Sequence, residues 1–197
     1  NFAVAGSASY DLGLARRGMS VSTTLGSFGT RRLLLLWGPD GQSVHTFGGV
    51  ELYQSDGFGQ ARNGQRASAI GGYEGRVGKT ATYRIMLQSY AAHYNMAGLL
   101  RLQDYQAGRK GFGDTYDPDQ GGDSSRHSLG LRVDDVIGDT DVSQSLFLIM
   151  RDFRLRQNFT GYLLDQRSGA QSPHAQRGDL LDQHTGATTL GGRGSAR

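Results

Sequence analysis

The feature that most constrains this chain is an alternation of period two, sustained over stretches longer than most strands. Between Thr80 and Ala92, Ala81, Tyr83, Ile85, Leu87 and Ala91 alternate with Thr80, Thr82, Arg84, Met86 and Gln88. Between Arg66 and Val77, Ala67, Ala69, Gly71, Tyr73 and Val77 alternate with Arg66, Ser68, Glu74 and Arg76. Leu129, Leu131 and Val133 alternate in the same way with Ser128, Gly130, Arg132 and Asp134. Successive side chains of an extended backbone point to opposite sides, so each stretch predicts a strand with one apolar and one polar face. A helix would spread the charges at 66, 74 and 76 around two sides of its circumference. Two stretches are less regular. Leu146 to Met150 is apolar at every position, and Val44 to Ser55 mixes His45 and Glu51 with Phe47 and Tyr53. Flanking context predicts strands for both.

Turn residues divide these strands. Val77-Gly78-Lys79, Gly138-Asp139 and Pro39-Asp40-Gly41 read as short turns. Long polar links cover 57–65, 95–123 and 156–184. Short turns at one end and long loops at the other are the layout of an outer-membrane barrel. The run from Thr80 to Tyr94 also exceeds the roughly 5–6 residues of an ordinary strand. It suffices for the roughly 9–11 residues with which a tilted strand crosses a bilayer. The expected fold is therefore all-β: an antiparallel transmembrane barrel segment of about eight long strands, with short periplasmic turns and long extracellular loops. Trp37, Tyr53, Tyr83, Tyr90 and Tyr94 lie in or near strands, as interface girdles or ordinary sheet packing would place them.

Composition narrows the alternatives. The chain has 31 Gly, 3 Pro and no Cys, which suits many strands and excludes disulfides and thiolate metal sites. Its longest aliphatic run, Leu33 to Leu36, falls far short of the roughly 20 apolar residues of a spanning helix. The net charge of +3 is scattered. The pairs Arg16-Arg17 and Arg31-Arg32 flank turns and form no nucleic-acid patch.

Three segments carry a family resemblance. Val4-Ala5-Gly6-Ser7-Ala8-Ser9-Tyr10 resembles the last plug strand of TonB-dependent outer-membrane receptors. Met19 to Arg31, with Gly26-Ser27-Phe28-Gly29-Thr30, is similar to the first barrel hairpin of that family. Gly48 to Phe58 (GGVELYQSDGF) is similar to the strand that leads into an outward loop. The resemblance implies residues 1–17 as the end of a plug domain and 18–197 as the first part of the barrel. It also implies a location in the outer membrane of a Gram-negative bacterium, with membrane lipid, a plug domain and TonB as partners. The role implied is import of a scarce siderophore, cobalamin or glycan, not catalysis. A full barrel of the family has about 22 strands. This sequence holds no TonB box and ends Gly194-Ser195-Ala196-Arg197 without a closing aromatic strand, so a fragment is expected. A small passive porin and a soluble β-sandwich binding module are the alternatives.

On this reading Ala81, Tyr83, Ile85 and Leu87 meet lipid, and Arg66, Glu74, Arg76, Arg84 and Gln88 face the lumen. Arg62, Arg101, Tyr105, Arg109, Tyr116 and Tyr162, in the loops, are the expected ligand contacts. Asp114, Asp117, Asp119 and Asp123 offer carboxylates for a loose Ca²⁺ site or a solvated polar loop. An EF-hand is excluded, because Ser128 stands where its last ligand must be Glu. No other cofactor is expected. The segment Gly75 to Thr80 imitates a phosphate-binding loop but carries Tyr73 at the required glycine and joins two strands. His45, His93, His127, His174 and His184 form no zinc pattern, and no Gly-x-Ser-x-Gly elbow supports a catalytic triad. Asn158-Phe159-Thr160 matches a glycosylation acceptor that a bacterial source leaves idle.

Overall fold

The computed structural model describes residues 11–158 and 180–197. They form one antiparallel sheet of eight strands in sequence order. The strands are β1 (Gly18–Leu25), β2 (Arg31–Gly38), β3 (Phe47–Ser55), β4 (Gly64–Val77), β5 (Ala81–Asn95), β6 (Gly121–Ile137), β7 (Thr140–Gln157) and β8 (Leu181–Ala196). One short helix, α1 (Leu102–Gln106), lies between β5 and β6. Each strand pairs with its sequence neighbours, and β1 and β8 are the two edges, so the sheet is not closed. It is also a single layer, whereas a sandwich requires two packed sheets.

The expected short links between β4 and β5 and between β6 and β7 occupy 78–80 and 138–139. Gly78 and Gly138 supply the left-handed conformations they need, with φ of 66° and 63°. Four of the links have bounds that differ from those the sequence predicts. β4, β6 and β8 begin earlier and β5 and β7 end later than expected, while β3 ends at Ser55; the links run 56–63 and 96–120 rather than 57–65 and 95–123, and β7 and β8 bound 158–180 rather than 156–184. The link 39–46 is longer than the Pro39-Asp40-Gly41 turn. It folds back on the sheet, where the Thr46 hydroxyl accepts a hydrogen bond from the Glu74 amide at 3.1 Å.

Residues directly opposite one another in adjacent strands share a face. Following the register, Gly71, Leu87, Leu129, Leu148 and Leu190 form one row across β4 to β8. Tyr73, Ile85, Leu131 and Leu146 form the next. Val21, Leu33, Leu35, Val50 and Leu52 continue this apolar face through β1 to β3. The opposite face carries Arg32, Glu51, Arg66, Glu74, Arg84, Gln88, Arg126, Arg132 and Arg151.

The apolar face is uncovered. Leu129 is 46% exposed, Leu146 59% and Leu190 78%. Among the described residues the only buried hydrophobic side chains are Phe47 and Ala97, and no large side chain is fully enclosed. The sheet has no core of its own.

The irregular stretches now have a physical reason. Leu34 and Leu36 lie on the polar face, where Leu36 and Ile70 close over Gly49. A Cβ on Gly49 would come within 3.0 Å of Leu36 and 3.2 Å of Ile70. Phe147 and Ile149 likewise turn to the polar face between Leu146, Leu148 and Met150. Small apolar patches on the polar side hide the alternation in both places.

Candidate functional site

The polar face is organised by cross-strand ion pairs. Glu51 receives one arginine on each carboxylate oxygen, Arg32 at 2.5 Å and Arg66 at 2.9 Å. The Arg66 guanidinium also lies 4.7 Å from the centre of the Tyr53 ring. One strand further on, Arg84 contacts Glu74 at 2.5 Å and Asp11 at 3.2 Å. Gln88 accepts a hydrogen bond from Ser128 at 3.4 Å, and Arg76 reaches no acid among the described residues. The five residues expected on the lumen side, Arg66, Glu74, Arg76, Arg84 and Gln88, therefore share one face. Ala81, Tyr83, Ile85 and Leu87 share the other.

The chain enters β1 from the polar face, at the end of the sheet with the short links. Asp11 sits on Arg84 there. The Leu14 amide donates to the Val44 carbonyl at 2.8 Å, and the His45 ring donates to the Leu12 carbonyl at 3.0 Å. Arg17 acts as a clamp: its guanidinium donates to the carbonyls of Pro39 at 3.3 Å, Ser43 at 3.2 Å and Thr46 at 3.2 Å. The plug-like strand 4–10 lies outside the described residues.

At the opposite end, the loops are fastened to one another. In the turn 26–30, Phe28 and Gly29 both adopt positive φ, 59° and 64°. The Phe28 carbonyl accepts the Asp56 amide at 2.8 Å, and its ring packs edge-on against Phe58 with centroids 6.4 Å apart. Arg62 lies 4.6 Å from the Phe58 ring centre and 5.9 Å from that of Phe112. The Gln60 amide donates to the Gly113 carbonyl at 2.7 Å, which joins link 56–63 to link 96–120.

Asp104 is the hub of link 96–120. It is 8% exposed and takes Arg101 at 3.0 Å, Arg109 at 2.7 Å and the Tyr116 hydroxyl. The Tyr116 hydrogen bond, with those of Arg109 and the charges of both arginines, holds the Asp104 carboxyl below its ordinary value, against the opposing effect of burial. Thr115, buried, donates to the Ala97 carbonyl at 2.6 Å and anchors the far side of the loop.

This arrangement redistributes the expected ligand contacts. Arg101, Arg109 and Tyr116 are engaged in building their own loop. Tyr105 remains on the surface, 51% exposed. Tyr162 lies outside the described residues. Arg62 lines a pocket of about 540 Å³ with Phe58, Asn95, Met96, Leu99 and Gln157.

The four carboxylates considered for Ca²⁺ are dispersed. Asp114 accepts the Gly111 amide at 2.7 Å, and Asp117 accepts Asn158 at 2.7 Å and the Asp119 amide at 3.0 Å. Asp123 is on β6 and pairs with His93 at 2.6 Å. Among the described residues no three His, Asp or Glu side chains converge on a common point that could hold a metal ion.

One group escaped the sequence reading. On the apolar side, towards the loop end, the surface turns polar. Ser89 meets His127 at 2.9 Å, His93 meets Asp123, His184 meets Asp152 at 2.8 Å, and Arg154 meets Asp182 at 2.6 Å. Strands of 14 to 18 residues thus outrun the apolar band. The sequence signal was present, because His93, His127 and His184 continue the same alternation as Ile85 and Leu87.

No family of known proteins, no characterised protein and no solved structure matches the chain.

Proposed function

We propose that this chain is part of the wall of an outer-membrane β-barrel of a Gram-negative bacterium. Within that class, the kind proposed is a TonB-dependent receptor importing a scarce siderophore, cobalamin or glycan. The observation that carries the reading is the pairing of two unlike faces on one coreless sheet. One face presents an exposed apolar band, and the other carries cross-strand ion pairs. In water such a band costs about 25 cal/mol for each Å² left wet, and soluble monomers rarely leave so large an apolar patch open. Lipid on one side and a hydrated lumen on the other match both faces at once.

Four further features support the reading. The longest links lie at one end and the shortest at the other. The polar belt beyond the apolar band suits the outward-projecting part of long strands. The chain arrives on the polar side, where a plug would sit. The two unpaired edges suit a segment whose neighbours in a larger barrel complete the ladder. Link 56–63 and link 96–120, with the Arg62 pocket, are the proposed ligand-capture region.

The test is refolding of the purified chain with detergent and lipid vesicles. The expected result is a detergent requirement, vesicle association and protection of the apolar face from aqueous labelling reagents. A compact, water-soluble monomer that ignores vesicles refutes the membrane reading. For the receptor kind, uptake by cells expressing the full-length protein must cease when the inner-membrane proton gradient is collapsed. Continued uptake identifies a passive porin.

A further inference from the structure

The polar faces of β6, β7 and β8 carry Arg126, Arg132, Arg151 and Arg193 but only two acids, Asp134 and Asp141. Asp134 is taken by Arg132 at 2.8 Å, and Asp141 lies at the turn end opposite Val136. Arg126 and Arg151 face each other directly in the register. Like charges placed so repel one another. The row continues into Tyr90 on one side and Ala187 on the other, and Ser124 lies two residues along β6. Neither arginine has a hydrogen bond or ion pair among the described residues, and both are exposed.

Two opposed guanidinium forks flanked by hydroxyl donors, with no acid beside them on that face among the described residues, have the chemistry of an oxyanion site. We propose that Arg126 and Arg151 jointly hold one phosphate-class dianion on the polar face. Its two negative charges match the two guanidinium charges, and each fork can offer paired N–H donors to its oxygens. The hydroxyls of Tyr90 and Ser124 complete the donor set. The site lies opposite the apolar band, so it is reached from the polar side whether or not the other face meets lipid. It thus goes beyond the membrane reading and does not depend on it.

Inorganic phosphate is the probe. It is titrated into the refolded full chain, in detergent or in buffer, and followed by calorimetry and by phosphorus NMR line width. The expected result is saturable binding that weakens at least tenfold, roughly 1.4 kcal/mol, in either R126Q or R151Q. R76Q, on the same face but remote from the pair, keeps the wild-type affinity. R151K, which retains charge but loses the fork, falls between. A second readout needs no comparison of affinities: without phosphate R151Q raises the urea midpoint, and saturating phosphate raises it for the wild type alone. Absence of saturable binding overturns the proposal. So does equal loss in R76Q, or a lower urea midpoint for R151Q in phosphate-free buffer.

Discussion

Single residues in this chain matter mostly by fastening irregular segments to the sheet. Asp104 shows how. Its carboxyl titrates below the ordinary value of 3.8, chiefly through the Tyr116 hydrogen bond and then that of Arg109. A carboxyl whose folded value is depressed stabilises the loop at pH above the unfolded value, and loses that contribution as pH falls through the folded one. Link 96–120 is therefore expected to hold constant protection from pH 7 down to pH 5, then open in stronger acid. Hydrogen exchange across 101–110, corrected for its intrinsic rate, checks this, and Asp104→Asn should exchange rapidly at every pH. Arg17→Ala removes three hydrogen bonds to carbonyls of the 39–46 link. At roughly 1 kcal/mol each, the cost is about 2–3 kcal/mol, and exchange should rise over 39–46 before it rises in β2 or β3. Neither residue was legible beforehand. In the sequence Arg17 is one of a pair flanking a turn, and nothing marks Asp104, because its partners reach it through loop geometry that no periodicity encodes.

At the scale of elements, the strands were legible wherever one face was cleanly apolar. β4, β5 and β6 follow the alternation residue by residue, because their two sides differ in polarity along most of their length. β2 and β7 resisted, since Leu34, Leu36, Phe147 and Ile149 place apolar groups on the polar side. Link ends shifted inwards because strand pairing continues past the apolar band into the belt of His93, Asp123, His184 and Asp182. The difference between the faces makes a prediction within this scale. Leu129→Arg, on the apolar face, is expected to cost about 2–4 kcal/mol in vesicles if that face meets the middle of a bilayer. Thr189→Lys, on the polar face, should stay within about 0.5 kcal/mol. Denaturant titrations of both variants in the same vesicles supply the comparison. Equal effects would contradict the assignment of unlike surroundings to the two faces.

For the whole molecule, the decisive property is that the eight described strands share one sheet and, among the described residues, enclose no large side chain. Among the described residues β1 and β8 have no partner on their outer ladders, and an unpaired ladder recruits another chain. The purified chain is expected to self-associate through these edges. Native mass measurement in detergent should find dimers and larger species. Ser20→Cys on β1 with Thr189→Cys on β8 should give covalent links between chains under mild oxidation. A species that stays monomeric throughout would contradict this. The sequence displayed the strands and their order but held no sign of whether the last would meet the first, since closure depends on curvature accumulated across all eight.

The Arg17 clamp also sets a mechanical boundary. Tension applied upstream of residue 11 passes through Asp11, which rests on Arg84 of β5, and Leu14, and reaches Arg17 before it reaches β1. The three carbonyls that hold Arg17 belong to the link between β2 and β3, so the load is shed into the stretch 39–46 and bypasses the edge ladder of β1. A tug transmitted to Asp11 would thus peel residues 11–17 from the sheet while leaving the strands behind them in register.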